Sequence, residues 1–581
     1  MRSWLDNPQL RHPLYLPLLL VALILALYYP AVGSGIHPID DPGIVTLYGS
    51  SPSLLQVLLP GDGYYYRPLL QLSFWLDNRL WAMASAPMHL ENILLHCANT
   101  LLVFCLARRV TAALSSSAPS SMVNSQSSIV PPLLAALLFG LHPVNVEAVN
   151  WIAGRSDPLL AFFVLGATLF WLRWLDAPRW HDFGGALLLF GAALMTKETA
   201  LAAAAVAFLL ALAWPGKATP RQRAAAVGVV LSPALLLVLF ALFFWRGVHS
   251  LRRFLSMTDL DLLQGAMDAL TAFGFYARKL VVPVPLNFAI TEVHPLHGLL
   301  GVALLPVLCL LLLRRRLPGV LLISAAFLVL PAVLVAVQQV AWTPYAERYL
   351  YLPSAFFVLG LCAFFSPARS PGPAALLLAL LVVTAFAGLT LKRTMLWTDK
   401  LAFLEKTIAS SPRLGSLYSQ LGDVLLQRNE LDRAAEAFAT ADRLNQRESV
   451  RLVIKANLMG VQLAKGNYAA VRSQFFGIFA RKQDAPPEFL EILYKADGRR
   501  MHGLSGKEKA ELAEDLLETL DLLHQKRYDP FWLYRSGLLS LELGDRARAR
   551  DFFQRSYTAA PVDAHYKKAA EIFLHKMERS K

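Results

Sequence analysis

Up to about residue 391 the chain is a succession of uncharged apolar runs separated by short polar stretches. Each run approaches the ~20 residues that a helix needs to cross a bilayer. The first covers Leu14 to Ala31, and the second enters through His89, Asn92 and His96 and ends at Arg108-Arg109. The third spans Pro131–Leu141, the fourth ends at Arg173 and Arg179, and the fifth covers Gly184–Met195. The sixth ends near Lys217, Arg221 and Arg223, the seventh covers Ala224–Phe244, and the eighth Leu296–Leu313. The ninth ends near Val340, the tenth reaches the Ser366–Pro373 loop, and the eleventh ends near Leu391. Ala266–Val282 reads as an interfacial or re-entrant helix stopped by Pro283 and Pro285. From Lys392 the pattern changes to charged, amphipathic helices. It predicts an all-α protein in two parts: a polytopic membrane domain of about eleven spans over residues 1–391, and a soluble tail over 392–581.

In the tail, Tyr418, Leu421, Gly422, Leu425, Ala434, Phe438 and Ala441 follow tetratricopeptide spacing. Gly537, Gly544, Ala549, Phe553 and Pro561 form a second copy, and Gly460, Gly466 and Phe475 a degenerate one between them. Each unit is a helix pair of about 34 residues, with small residues where the helices touch and aromatics between them. A single pair cannot bury its own face, so the units stack into an α-solenoid suited to holding a protein or peptide.

Composition agrees with this division: 56% of the residues are hydrophobic and 17% charged. The charged share is below the roughly 25% of a soluble domain. The net charge is +14, yet much of the excess sits between spans, where the positive-inside rule accounts for it. No nucleic-acid motif is present. Cys97, Cys105, Cys309 and Cys362 all fall in apolar runs and read as packing residues, with neither disulfide nor zinc site expected. Arg2 and Arg11 precede an uncleaved first span and hold the N-terminus in the cytoplasm. The basic clusters after spans two, four, six and eight are then all cytoplasmic. The loops rich in acid, His and Asn are external, and so is the tail. Arg246, Arg252, Arg253, Lys392 and Arg393 break the rule on the external side and are candidates for binding an anion. Between spans two and three, the Ser115–Ser128 stretch reads as a flexible linker.

The external face therefore gathers Asp40 and Asp41 after the first span, the cations Arg67, Arg155, Lys197 and Arg348, and the polar groups His89, Asn92, His96, His142, Asn145, Glu147 and Asp157. Polar groups at a bilayer rim cost free energy unless paired or hydrated, so such a density suggests a site. Taken alone, His142–Asp157 reads equally well as a solvated loop. Transfer of a sugar from a lipid phosphate to a hydroxyl uses this inventory economically. The phosphate leaves without a general acid if cations stabilise its developing charge, and one carboxylate suffices as base. His89, Asn92 and His96 share a helix face but lack a tight metal-binding spacing, so a divalent metal is possible but not favoured.

These residues resemble the transmembrane and tetratricopeptide-repeat-containing O-mannosyltransferases of the C-type glycosyltransferase superfamily. The resemblance rests on Ile39-Asp40-Asp41, Tyr66-Arg67-Pro68-Leu69, Met88 to His96, His142 to Val149 and Gly154-Arg155-Ser156-Asp157. It continues through Lys197-Glu198, Ala346 to Ser354, Arg393 and Trp397-Thr398-Asp399. It implies a dolichyl- or polyprenyl-phosphate mannose donor and a protein Ser/Thr acceptor. Asp40 would be the base, with Asp41 or a nearby His positioning the acceptor. Arg67, Arg155, Lys197 and Arg348 would hold the donor phosphate; His89, Asn92, His142, Asn145, Glu147 and Asp157 would line the acceptor and sugar site. A short segment between the seventh and eighth spans and a compact repeat array depart from the family pattern. They point to a bacterial inner-membrane protein, for which a glycolipid acceptor is also open. A single base fits one-step, inverting displacement. The competing classes are a non-catalytic membrane scaffold, which has no need of Asp40 and Asp41, and a lipid-linked sugar transporter, which would place charges at mid-span.

Overall fold

A computed structural model describes residues 15–59, 66–115, 129–215, 219–228, 262–339, 343–364 and 372–579. It forms two compact units, 1–411 and 412–581. The expected Ser115–Ser128 linker, most of the seventh span and Arg246, Arg252 and Arg253 lie outside the described residues.

The first unit opens with α1 (Tyr15–Tyr28), followed by the short helices α2 (Asp41–Gly49), α3 (Leu54–Leu58) and α4 (Pro68–Trp81). Next come α5 (Ser85–Ser115), α6 (Val130–Gly140), α7 (Val146–Asn150), α8 (Ser156–Asp176), α9 (Trp180–Leu194) and α10 (Leu201–Ala213). The rest of the unit is α11 (Leu262–Val281), α12 (His297–Arg314), α13 (Leu317–Gln338), α14 (Tyr351–Phe364), α15 (Pro373–Thr398) and α16 (Lys400–Ser410). Among the described residues, 6 helices are long and apolar enough to cross a membrane, or up to 7 if the bent pair α6 and α7 counts as one. The six are Tyr15–Gly33, Ser85–Ser115, Ala153–Asp176, His297–Arg314, Leu317–Gln338 and Pro373–Thr398.

The described residues thus do not confirm the expected count of about eleven spans. The third expected span stops at Gly140 and turns by 43° into the next short helix. The fifth is a helix of 15 residues, and 14 residues of the tenth are described as helix. The chain breaks its helices where polar residues turn inward, at His142, Asn150, Lys197 and Glu347, and closes these breaks with short 3-10 turns.

The re-entrant candidate is the 20-residue helix α11, which packs tightly on α12. A Cβ on Gly274 would run into the His297 carbonyl, and one on Gly301 into the Leu270 backbone, so both positions admit only hydrogen. The last apolar helix continues past Leu391 to Thr398 and buries Thr390, Arg393, Thr394 and Trp397. Asp399 then caps α16, accepting from Leu401 N at 3.1 Å and Ala402 N at 3.3 Å. Phe403 and Leu404 of α16 are buried within the first unit. The compact units consequently divide after Ser411 rather than after Leu391.

The second unit consists of four successive helix pairs and a final helix. These are Gly415–Gln427 with Leu431–Leu444, Glu448–Ala464 with Tyr468–Ile478, Pro487–Met501 with Gly506–Arg527, Phe531–Glu542 with Arg546–Ala559, and Lys567–Arg579. A Cβ on Gly422 would lie 2.6 Å from the Phe438 ring, and one on Gly537 2.8 Å from that of Phe553. At both places glycine lets an aromatic ring close against the neighbouring helix. Gly460 has open space instead, so the middle copy lacks this contact.

Candidate active site

The geometry divides the two adjacent aspartates between different tasks. Asp41 is buried, and both its carboxylate oxygens accept backbone N–H groups: His37 N at 3.1 Å and Ala153 N at 3.0 Å. Trp151 Nε1 donates to the Ile39 carbonyl at 2.9 Å, fastening the same loop from the other side. These contacts hold Asp40 in the left-handed region, at φ 62°, where a non-glycine residue is strained and must be held by its surroundings. Asp40 begins α2 with its side chain exposed, and that side chain makes no helix-capping hydrogen bond. Burial pushes the Asp41 carboxyl up to about 7, against the pull of its two N–H donors. The protein around Asp40 also raises its carboxyl above the usual range, while Arg348 pulls it down. Asp41 thus fixes the loop and Asp40 is the carboxylate presented.

Arg348 is the cation whose charge bears on Asp40. Its guanidinium lies 5.2 Å from the Trp151 ring and 4.9 Å from the Tyr349 ring, and it pairs with buried Glu147 at 2.5 Å. Lys197 continues the line: its Nζ is 2.6 Å from Asp157 and 5.7 Å from the other ring neighbour, Tyr349. Asp157 Oδ2 is buried without a hydrogen-bond partner among the described residues. Lys197, Asp157, Thr199 and Tyr349 line a small pocket together with residues of α8, α13 and α14. Its other walls are Leu160, Leu328, Pro331, Ala332, Val335, Leu352 and Pro353. The pocket thus joins one charged pair to mainly apolar walls. Arg67 forms a two-point pair with Glu198, at 3.0 and 2.5 Å, where the start of α4 meets the Lys197 turn through Leu69 N and the Met195 carbonyl (3.1 Å).

The remaining candidates are held apart from this line. Arg155 is sealed inside, 2.7 Å from Asp77 and 3.1 Å from Glu91, with Nε donating to Asn92 Oδ1 at 2.9 Å. Asn92 in turn holds the Trp151 carbonyl at 2.9 Å. His89 bonds the Gly35 carbonyl at 2.9 Å, and His142 that of Leu280 at 3.0 Å. Asn145 donates to Phe139 O at 2.8 Å, and His96 lies 2.7 Å from the Tyr351 hydroxyl. Buried carbonyls need donors, and these side chains supply them at helix breaks. Of the polar groups expected to line the acceptor and sugar site, Glu147 and Asp157 pair with Arg348 and Lys197, Asn92 links Arg155 to the Trp151 carbonyl, and His89, His142 and Asn145 tie backbone together.

Trp151, Tyr349, Asp77 and Lys279 were not singled out from the sequence. Only Trp151 and Tyr349 carried a signal, as aromatics inside the two motif stretches. Among the described residues, no group of three or more His, Cys, Asp or Glu is arranged to hold a metal ion.

No family model matches the chain. It is similar to the protein O-mannosyl-transferases Tmtc1 and Tmtc2 of Drosophila melanogaster, each at 36% identity, over 138 and 152 residues. These segments cover 24% and 25% of this chain and 14% of either relative. Human protein O-mannosyl-transferase TMTC2 is 31% identical over 159 residues, 25% of this chain and 17% of that protein. The matched segments therefore span less than a fifth of the relatives' length. All three relatives are animal proteins, and the expected bacterial setting rests only on the short segment between the seventh and eighth spans and the compact tail. By sequence, this chain is similar over about a quarter of its length to proteins named as O-mannosyl-transferases.

Proposed function

We propose that the protein is a membrane glycosyltransferase that moves a hexose, mannose first among them, from a polyprenyl phosphate to an acceptor hydroxyl, a protein Ser or Thr, on the extracytoplasmic face. The observation that carries this reading is that Lys197, in a mainly apolar pocket, and Arg348, whose charge bears on Asp40, share the Tyr349 ring. Apolar walls beside two cations suit a lipid phosphate. The names of the relatives favour mannose and a protein acceptor.

In this reading Asp40 removes the acceptor proton. The freed oxygen attacks the anomeric carbon, the bond from that carbon to the phosphate oxygen breaks, and the lipid phosphate departs with the electron pair. Arg348 and Lys197 stabilise its growing charge, and the proton ends on Asp40. With one base and no second nucleophile at hand, the displacement inverts the anomeric centre. Glu147 and Asp157 hold the two cations in place. Arg67 stands at the rim, and Arg155 supports the Trp151 loop from behind. The tail, read as tetratricopeptide-like, would hold the acceptor protein, and the packing at Gly422 and Gly537 supports that reading.

The test is turnover of radiolabelled polyprenyl-phosphate mannose by the full chain in nanodiscs. Asp40→Asn is expected to lower transfer by about 10²–10⁴-fold, the usual worth of a general base. Equal turnover in the native chain and this variant would overturn the role of Asp40.

A further inference from the structure

The Arg348 turn is backed by a second layer of buried charge that the proposed chemistry does not use. Glu347 points the opposite way from Arg348. Its carboxylate accepts from Lys279 Nζ at 2.6 Å and from Asn287 N at 2.9 Å, and it faces Arg393 at 3.8 Å. Lys279, Glu347 and Arg393 side chains are all under 5% exposed. Their elements are remote in sequence: Lys279 ends α11, Arg393 lies near the end of α15, and Asn287 belongs to the connecting loop. Lys279 also donates to the Pro283 and Pro285 carbonyls, and Arg393 to Leu286 O at 3.1 Å.

The backbone of the turn is clamped as well. Glu347 N donates to Glu147 Oε2 at 3.1 Å while Arg348 takes the other oxygen of the same carboxylate. Ala346 N donates to the Tyr276 hydroxyl at 3.4 Å, and Ile290 bridges Tyr345. From the same loop, Phe288 meets the Trp151 ring edge-on at 5.3 Å. An apolar cluster of this volume would hold a fold about as well, because buried ion pairs add little net stability. What charge pairing adds is direction. Glu147, Glu347, Lys279, Arg348 and Arg393 interlock three cations with two carboxylates, and Arg348 is the most exposed of them. It is also the cation whose charge bears on Asp40.

We infer that Glu347, held by Lys279 and Arg393, is a positioning residue that aims Arg348 at the leaving phosphate. The inference rests on the function proposed above. It predicts opposite kinetic signatures. Glu347→Gln leaves the cations in place but loosens their aim, so kcat falls by about tenfold to a hundredfold with no rise in donor KM, as expected for a misplaced catalytic group. Lys279→Met removes a cation, so donor KM rises. A merely structural role would lower the amount of folded protein and leave both constants of the surviving fraction unchanged.

A second measurement does not depend on turnover. In protein labelled with 5-fluorotryptophan, the ¹⁹F resonance of Trp151, assigned with Trp151→Phe among the 12 tryptophans, reports the guanidinium lying against its ring. Glu347→Gln is expected to move that resonance. Asp176→Asn, which breaks the pair with Arg109 at the other end of α8, is expected to leave it in place. Where Glu347→Gln does not fold, Lys279→Met/Glu347→Gln removes both charges together and is expected to move the resonance too. An unmoved Trp151 signal in the folded variant, or an unchanged kcat, overturns the inference. A native chain with no turnover, but with the Trp151 shift present, counts against the proposed function alone.

Discussion

The two units treat charge in opposite ways. In the membrane unit several ion pairs are internal: Arg155 and Asp77 are each 1% exposed, and Lys279 and Glu347 2% and 1%, while Arg67 with Glu198 and Arg109 with Asp176 lie at its rim. In the repeat unit most pairs lie open, as in Lys507 with Glu511 at 91% and 68%. Desolvating two charges costs several kcal/mol per ion, which their attraction barely offsets, so an internal pair is a poor way to gain stability. An exposed pair costs little and contributes little. Buried charge around Asp40 and Arg348 therefore reads as geometry kept for chemistry, and exposed charge on the repeats as solubility. Lys482, 4% exposed between Asp515 and Glu518, and Asp497, 1% exposed against Arg472, are exceptions in the second unit.

The sharpest way to break this comparison is at Arg155. Arg155→Met strands Asp77, Asn92 Oδ1 and the Met88 carbonyl, all of which it now satisfies. The expected loss is about 3–5 kcal/mol, the cost of removing one partner of a buried pair. It should fall toward the lower end, because burial and nearby Glu91 already push the Asp77 carboxyl up to about 7 against the pull of Arg155, so it can take up a proton. Asp77→Asn/Arg155→Met should recover much of the loss. Unfolding of the two variants in a denaturing-detergent titration checks this. A loss below about 1 kcal/mol in Arg155→Met would mean that the pair behaves like an exposed one.

An effect of similar total size, but spread over several pH units, is expected from pH. The folded chain holds the Asp41 carboxyl at about 7, against an ordinary value of 3.8. Between those two values the folded form keeps a proton that the unfolded chain has released. Stability from this group is thus complete at low pH and is lost as pH rises toward 7, by up to about 1.4 kcal/mol per unit. Unfolding temperatures measured across this window should fall with pH in the native chain and lose that component in Asp41→Asn. The same slope in both would place the titration elsewhere.

How much of this was legible in the sequence follows from where each partner lies. The apolar runs fixed the helices, because burial or lipid contact follows from a residue's own chemistry and its period. The aspartate pair was visible as a pair, but its division of labour was not. Asp41 is pinned by Ala153, 112 positions away, and nothing local distinguishes it from Asp40. Arg155 and Arg348 look alike in sequence, each in a motif beside acids and Asn or Tyr. Asp77 on a short helix seals one, and two aromatic faces present the other. Lys279 reads as an ordinary cation ending an amphipathic helix, and only the packing of α11 against the Glu347 turn makes it a buried partner. The helix breaks were hidden for a related reason: a polar residue can end an apolar helix once the fold supplies its partners.

The least perturbing test lies at the other end of the same comparison. Lys507 and Glu511 stand one turn apart on the helix Gly506–Arg527, 3.6 Å from each other and open to solvent. Their order, cation before acid, opposes the helix dipole, which leaves the pair weaker than its reverse. Lys507→Ala also replaces a good helix former by a better one, so propensity offsets whatever attraction is lost. The expected change in stability is within about 0.5 kcal/mol, with no change in sugar transfer. Chemical unfolding of the full chain at low and high salt measures it, and the small difference should shrink as salt screens the pair. A loss of several kcal/mol, or one that survives high salt, would show that the repeat unit also relies on its charges for shape, and the contrast between the units would fail at the point where it predicts least.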